Sequence, residues 1–352
     1  MTMQRRIIWF LAAVAWLAPW AALAADAPAP APARSPLAQA IEQTQPKLVK
    51  IYGAGGFRGL EAHQSAMLIS ADGCLLTAWS YVLDTDYITA VLADGRKLQA
   101  KLVGADPRLE IAVLKIDAEG LPFFDLAKAV TAEAGTRVLA FSNVFGVAQG
   151  DEPASVQEGI VSVATTLAAR RGVFETPYRG PVYVIDAVTN NPGAAGGALV
   201  TRRGELVAML GKELRNALNN TWLNYAVPIG ELRGSVEEIR AGKFIARRPD
   251  EAEKKPQQCI RLAALGVTLV PDVLERTPPF VDSVRPGSPA MQAGLLPDDL
   301  IVLVGDRLIQ SCKNLVAELE YIDHEDEVKL TIIRGNELVE VKVAAAAGGK
   351  KP

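Results

Sequence analysis

From Lys47 onward the chain is written as short apolar runs cut by turn residues, and this spacing limits its fold more than any other feature. Six runs come first: "LVKIYG", "AMLIS", "CLLTAW", "YITAVLA", "KLQAKLVG" and "IAVLKID". After a gap come six more: "RVLAFSNV", "GIVSVATT", "VYVIDAV", "GALVT", "ELVAMLG" and "NYAVPI". Each is rich in Val, Ile or Leu and is bounded by Gly, Asp or Asn, as in the "ADG" and "RRG" turns. Runs of this length and composition are strands, and two sets of six predict two antiparallel β-barrels. The segment "GELRGSVEEIR" has helical spacing and closes the second set.

The chain of 352 residues is long enough for two or three domains, and 49% hydrophobic residues exclude a disordered polymer. Its start reads as a signal peptide over 1–24. Arg5 and Arg6 supply the positive end, Ile7 to Leu17 the apolar run, and Ala22-Leu23-Ala24 a small-residue cleavage site before Ala25. Export follows, most simply to a bacterial periplasm. Next comes a Pro/Ala-rich tether with a short N-terminal segment (25–46), where "LAQAIEQTQ" has helical spacing. The double barrel occupies 47–240 and a charged, Pro-containing linker 241–260. A further unit over 261–343 mixes strand-like runs with two helical segments, "SPAMQAG" and "SCKNLVAELEYI", the second capped by Ser311. A small, basic tail, 344–352, ends the chain.

Charge and cysteine content exclude several functions. Removal of Arg5 and Arg6 leaves 35 basic residues against 40 acidic ones, with no basic stripe interleaved with aromatics, so nucleic acid is not an expected partner. The three cysteines, Cys74, Cys259 and Cys312, fit no metal-ligand spacing, and no metal or other cofactor is implied. Cys74 reads as a buried small side chain. Cys259 and Cys312 leave open a disulfide closing about 53 residues, worth about 4 kcal/mol where geometry permits. The two histidines, His63 and His324, read as solvated polar side chains.

Four stretches, "SAMLISADGCLLTAWSYV", "VLADGRKLQAKLVGADPRLEIAVLKID", "NNPGAAGGALVTRRGELVAM" and "NYAVPI", resemble the HtrA/DegP family of exported trypsin-like serine proteases. The end of the chain, "ALGVTLV…VDSVRPGSPAMQAGLLPDDLIVLVGDRLI", resembles that family's PDZ domain. The resemblance covers roughly Lys47 to Val343 in order. It implies a mostly β protein, a trypsin-like double antiparallel β-barrel followed by an α+β PDZ domain. It also implies a homotrimer built through the N-terminal part of the barrels.

All three catalytic positions depart from the family pattern. Ser80 stands where T-x-x-H has its histidine, Glu110 where D-I-A-L-L-K has its aspartate, and Ala195 where G-N-S-G-G has its nucleophile. A hydroxyl is no base at neutral pH, an alanine has no oxygen to attack with, and Glu110 has no imidazole to orient. The expectation is a pseudoprotease. Its glycine-rich turn keeps the Gly193 and Ala195 amides as a residual oxyanion-type donor pair, or persists only because the second barrel needs it to close. The "ALGV" stretch, Ala264, Leu265, Gly266 and Val267, matches a carboxylate-binding loop. In such a loop backbone amides form a nest for a C-terminal carboxylate, and an apolar pocket near Leu315 and Leu319 takes the last side chain. The expected function is a periplasmic adaptor or regulator that binds C-terminal tails, peptides or unfolded proteins. The alternatives are an active endopeptidase using Ser80 or Cys74 in a non-standard arrangement, and a chaperone-like holdase.

Overall fold

All twelve of the barrel runs fold as strands. The computed structural model describes residues 34–53, 63–85, 87–171, 174–246, 255–273, 277–335 and 337–344. The signal-peptide segment, most of the Pro/Ala tether, the middle of the linker and nearly all of the tail lie outside the described residues. The first six strands are β1 (Leu48–Tyr52), β2 (His63–Leu68), β3 (Cys74–Ala78), β4 (Ile88–Val91), β5 (Lys97–Asp106) and β6 (Ile111–Ile116). They close a barrel in the order β1-β2-β3-β6-β5-β4.

The second half contributes β7 (Arg137–Ser142), β8 (Ser155–Thr166), β9 (Ala169–Arg171), β10 (Phe174–Glu175) and β11 (Pro181–Ile185). It continues with β12 (Ala198–Thr201), β13 (Leu206–Leu210), β14 (Leu214–Asn216), β15 (Trp222–Leu223) and β16 (Tyr225–Pro228). Six of these close a second barrel, β11-β16-β13-β12-β7-β8. The other four form a small sheet, β10-β9-β14-β15, which the run spacing does not foretell because two- and three-residue strands carry no periodicity. Every residue of β2 is buried, not every second one, because one face lines the first barrel and the other meets the second.

Helix α1 (Pro36–Thr44) buries Ala40 and Thr44 and lays Leu37 and Ile41 on the barrel core. Helix α2 (Ile229–Arg240) presents Ile229, Leu232, Val236 and Ile239 as one buried stripe. The C-terminal unit consists of α3 (Leu262–Leu265), β17 (Val267–Leu269), β18 (Val281–Val284), α4 (Pro289–Gln292), β19 (Leu300–Val304), β20 (Arg307–Leu308), α5 (Cys312–Leu319), β21 (Val328–Arg334) and β22 (Glu337–Val343). Its sheets are β17-β18 and β20-β19-β21-β22. Fully buried Asp299 is held by two bonds from Arg334, at 2.8 and 2.7 Å, so the carboxylate is not left unpaired inside.

The expected linker begins as a structured strap. Ala105 N–H donates to Phe244 O at 3.0 Å, Phe244 N–H to Asp306 O at 2.9 Å, and Leu308 N–H to Ile245 O at 3.0 Å. The strap thus joins β5 of the first barrel to the β20 edge of the C-terminal unit, and Val302, Leu303 and Leu308 share the barrel core. Beneath it, buried Asp106 takes two bonds from Arg108, at 2.9 and 2.8 Å, and one from Ser235 Oγ at 2.7 Å. The Arg108 guanidinium lies 4.6 Å from the centre of the Phe244 ring.

Gly104 permits the close approach, since a Cβ there would stand 2.5 Å from Phe244 O. Gly104→Val should therefore strip hydrogen-exchange protection from Ala105, Phe244 and Leu308 while leaving β1 to β3 protected. Asp106→Ala, which leaves buried Ser235 Oγ without its acceptor and frees the half-exposed Arg108, should lower stability in urea by about 1–3 kcal/mol.

Candidate active site and peptide-binding unit

The second barrel meets β2 through one tight turn. A 3₁₀ turn, Pro192–Ala194, is capped by Asn191, with Pro192 at its first position. Ser65 of β2 anchors it. The Ser65 N–H donates to Ala195 O at 3.0 Å and its Oγ donates to Gly193 O at 2.8 Å, while the same Oγ accepts from Asn143 N–H at 2.8 Å. Gly196, at φ +83°, is obligatory here: a Cβ would lie 2.2 Å from Ser65 O.

Both amides expected to form an oxyanion pair are already engaged. Gly193 N–H donates to the capping Asn191 Oδ1 at 2.8 Å, and Ala195 N–H to Pro192 O at 3.2 Å. The open donor pair is therefore not formed in this conformation, because the cap and the 3₁₀ turn use its hydrogens. Asn-Pro-Gly is a capping signature that the sequence already carried.

The fold gathers Ser80, Glu110 and Ala195 around β2 and β3, and the two polar side chains each have a partner of their own. Ser80 Oγ donates to Gln64 Oε1, and Gln64 Nε2 donates to Thr77 Oγ1 at 2.7 Å and Ala78 O at 2.9 Å. Gln64 is 1% exposed, so its amide fills the space beside Ser80. Glu110 follows in the turn between β5 and β6 at φ +54°, a strained conformation for a residue with a side chain. Three contacts hold it there. Lys212 Nζ pairs with Glu110 Oε1, Thr176 Oγ1 donates to Oε2 at 2.9 Å, and Trp79 N–H donates to Glu110 O at 2.8 Å. Lys212 Nζ also donates to Trp79 O at 3.3 Å. Gln64, Lys212, Thr176 and Asn191 carry this site, and only the last had a signature in the sequence.

His63 is not solvated. It is 7% exposed at the start of β2, with its ring centre 6.3 Å from that of Tyr52, and Gly193 and Gly146 both pack against the imidazole. The strand begins two residues earlier than the run "SAMLIS", which draws this side chain into the seam. His324 is half exposed beside Asp323. The cysteines are all free; Cys74 and Cys312 are buried, and burial raises the pKa of the Cys312 thiol. A cleft of about 620 Å³ lined by Thr166, Tyr183, Glu231 and Arg233 includes none of the three positions.

The expected carboxylate loop is likewise closed. Ala264 N–H and Leu265 N–H donate to Arg261 O at 2.9 and 3.2 Å, and Gly266 N–H to Leu262 O at 2.9 Å, so α3 and its left-handed glycine cap consume the nest's donors. Leu315 and Leu319 are 0% and 1% exposed, and Val267 is also buried; all three are core rather than the lining of an open pocket. The outward apolar residue of α5 is Val316.

Comparison with known proteins matches the trypsin-like peptidase domain family to residues 64–209 and the PDZ domain family to 263–345. A probable periplasmic serine endoprotease, DegP-like, of Brucella suis is 29% identical over 288 residues, 81% of this chain and 53% of the relative. Its namesake in Ectopseudomonas mendocina is 30% identical over 326 residues, 88% of this chain and 64% of the relative. The chain thus carries a trypsin-like peptidase domain followed by a PDZ domain and is similar to relatives of the HtrA/DegP family.

It spans about half the length of the first of these relatives. Among solved structures, the serine endoprotease from Yersinia pestis aligns at a TM-score of 0.47 and 23% identity, covering 88% of this chain and 97% of that one. In this chain the PDZ strand β17 pairs, among the described residues, with β18 alone. Its other edge carries no strand among the described residues.

The Glu110–Lys212 pair is mostly buried, at 12% and 14% side-chain exposure. Lys212→Ala should therefore cost about 3 kcal/mol in urea denaturation, because it strands the carboxylate. Glu110→Gln with Lys212→Met, which removes both charges and keeps the Thr176 bond, should recover most of that loss.

Proposed function

We propose that this chain is an exported, non-hydrolytic member of its family that binds peptides or unfolded proteins as an adaptor or regulator in the periplasm. The observation carrying the reading is the state of the triad positions: Ser80 bonded to Gln64, Glu110 paired with Lys212, and Ala195 without a nucleophilic atom. Acyl transfer needs a nucleophile beside a base, with a third group orienting that base. Here Ser80 meets an amide, and the only carboxylate at the three positions faces an ammonium. The alternative nucleophile, Cys74, is buried in the first-barrel core. Periplasmic residence rests on the Arg5 to Ala24 signal pattern and on the printed names of the relatives.

The PDZ unit supplies the binding function. With the amides of Leu265 and Gly266 engaged, the reading favours extended peptides added along β17 over terminal carboxylates held in a nest.

The purified chain should leave unfolded casein intact and should not be labelled by a serine-directed phosphonate; hydrolysis that co-purifies with it and resists inhibitors of contaminants overturns the reading. Ala195→Ser should remain inactive, since its hydroxyl has no base. Adding Ser80→His and Glu110→Asp should yield little more until Gln64→Gly and Lys212→Ala clear the imidazole's place and free the carboxylate, because these groups act as a unit. In titration calorimetry, free and amidated forms of one apolar-ended peptide should bind within about threefold, under about 0.7 kcal/mol. A much larger loss on amidation would show that the α3 turn opens for a carboxylate.

A further inference from the structure

The geometry points to a second peptide-binding surface: the outward face of the small sheet β10-β9-β14-β15 binds an acidic, extended segment of a partner protein. The strand register places Glu175, Arg170, Arg215 and Trp222 opposite one another across the four strands. Leu214, next to Arg215 and therefore in the alternate row, is 2% exposed, so the row containing the arginines faces out. Trp222 is 41% exposed, and the Arg215 guanidinium lies 3.9 Å from its ring centre. Among the described residues Arg170 donates from Nη2 to Asn220 Oδ1 at 3.3 Å, and its Nε has no acceptor.

Two guanidinium-bearing residues thus stand directly across from each other on neighbouring strands, with Glu175 opposite Arg170 on its other side, and like charges so placed are destabilising. Among the described residues neither has a carboxylate partner; their interactions are Asn220 for one and the Trp222 ring for the other. This is a local inversion of charge in a chain of net charge −3. The planar guanidinium fork matches a carboxylate, and the Arg215–Trp222 platform offers apolar area to the next side chain of a strand. The outer strands β10 and β15 end the sheet, leaving edges for main-chain pairing. Lys212 precedes β14 by two residues and Thr176 directly follows β10, and both contact Glu110, so a segment bound here lies beside the altered triad. Two arginines do not make the long basic track that nucleic acid needs, which favours a peptide.

The inference needs neither the PDZ groove nor an inactive triad. Its test uses the full chain and a fluorescein-labelled short peptide of alternating Glu and Val with an amidated C terminus, compared by anisotropy with its Gln counterpart. The Glu peptide should bind at low salt, lose affinity as salt is raised, and exceed the Gln peptide by about tenfold or more. Arg170→Gln and Arg215→Gln should each remove most of that difference. Arg215→Lys, which keeps the charge and loses the planar stack, should fall between, and serves where the Gln variants melt early. Unlabelled apolar-ended peptide from the PDZ titration should not compete. Equal binding of the Glu and Gln peptides, indifference to all three arginine variants, or tighter and competing binding of a DNA oligonucleotide overturns the inference. Loss of the Glu-peptide signal with PDZ capture intact overturns it alone and leaves the proposed function standing.

Discussion

Ser65 fastens one barrel to the other. Its amide and hydroxyl hold the carbonyls of Ala195 and Gly193, and its oxygen receives Asn143 N–H. This one buried side chain satisfies backbone groups from two segments of the second barrel at a seam that water does not reach, where an unmet donor or acceptor costs about 1–3 kcal/mol. The turn can approach β2 this closely because Gly193 and Gly196 have no Cβ. The glycine-rich turn accordingly keeps a structural task with no reagent at its tip: a side chain at Gly196 would drive the barrels apart whether or not a serine stood at position 195.

The same seam explains how a group of buried polar side chains can be stable. Each must find a partner or remain buried unsatisfied. Gln64 supplies an amide to Ser80, Thr77 and the Ala78 carbonyl, and Lys212 with Thr176 takes the Glu110 carboxylate. Glu110 keeps a left-handed backbone because its side chain and carbonyl are both tied down. The result is a satisfied polar cluster at the meeting of the two barrels.

Around this centre the PDZ unit is held in fixed relation to the barrels. The Phe244–Ile245 strap makes the PDZ unit continuous with β5 of the first barrel through main-chain bonds, and Asp106 fixes the strap from below through Arg108. The arginine row on the small sheet flanks the triad positions from the other barrel. Neither surface depends on hydrolysis.

The sequence by itself determined the twelve barrel strands, the closing helix, the PDZ unit and the identities of Ser80, Glu110 and Ala195. Apolar runs of fixed period and residue identities at motif positions are local properties of the chain. It did not determine the partners of those residues. Gln64 lies 16 positions from Ser80. Lys212 and Thr176 reach Glu110 from the other barrel, and the pairing of Arg170 with Arg215 arises from strands too short to show a pattern. The burial of His63 has the same origin: it comes from Gly193 and Gly146, which approach only after the barrels close. The closed turn at Leu265 and Gly266 is a further case, since one sequence can open its amides to a ligand or spend them on a helical turn. Tertiary structure decided these features because hydrogen-bond partners and burial depend on which surfaces meet, and local sequence does not encode that.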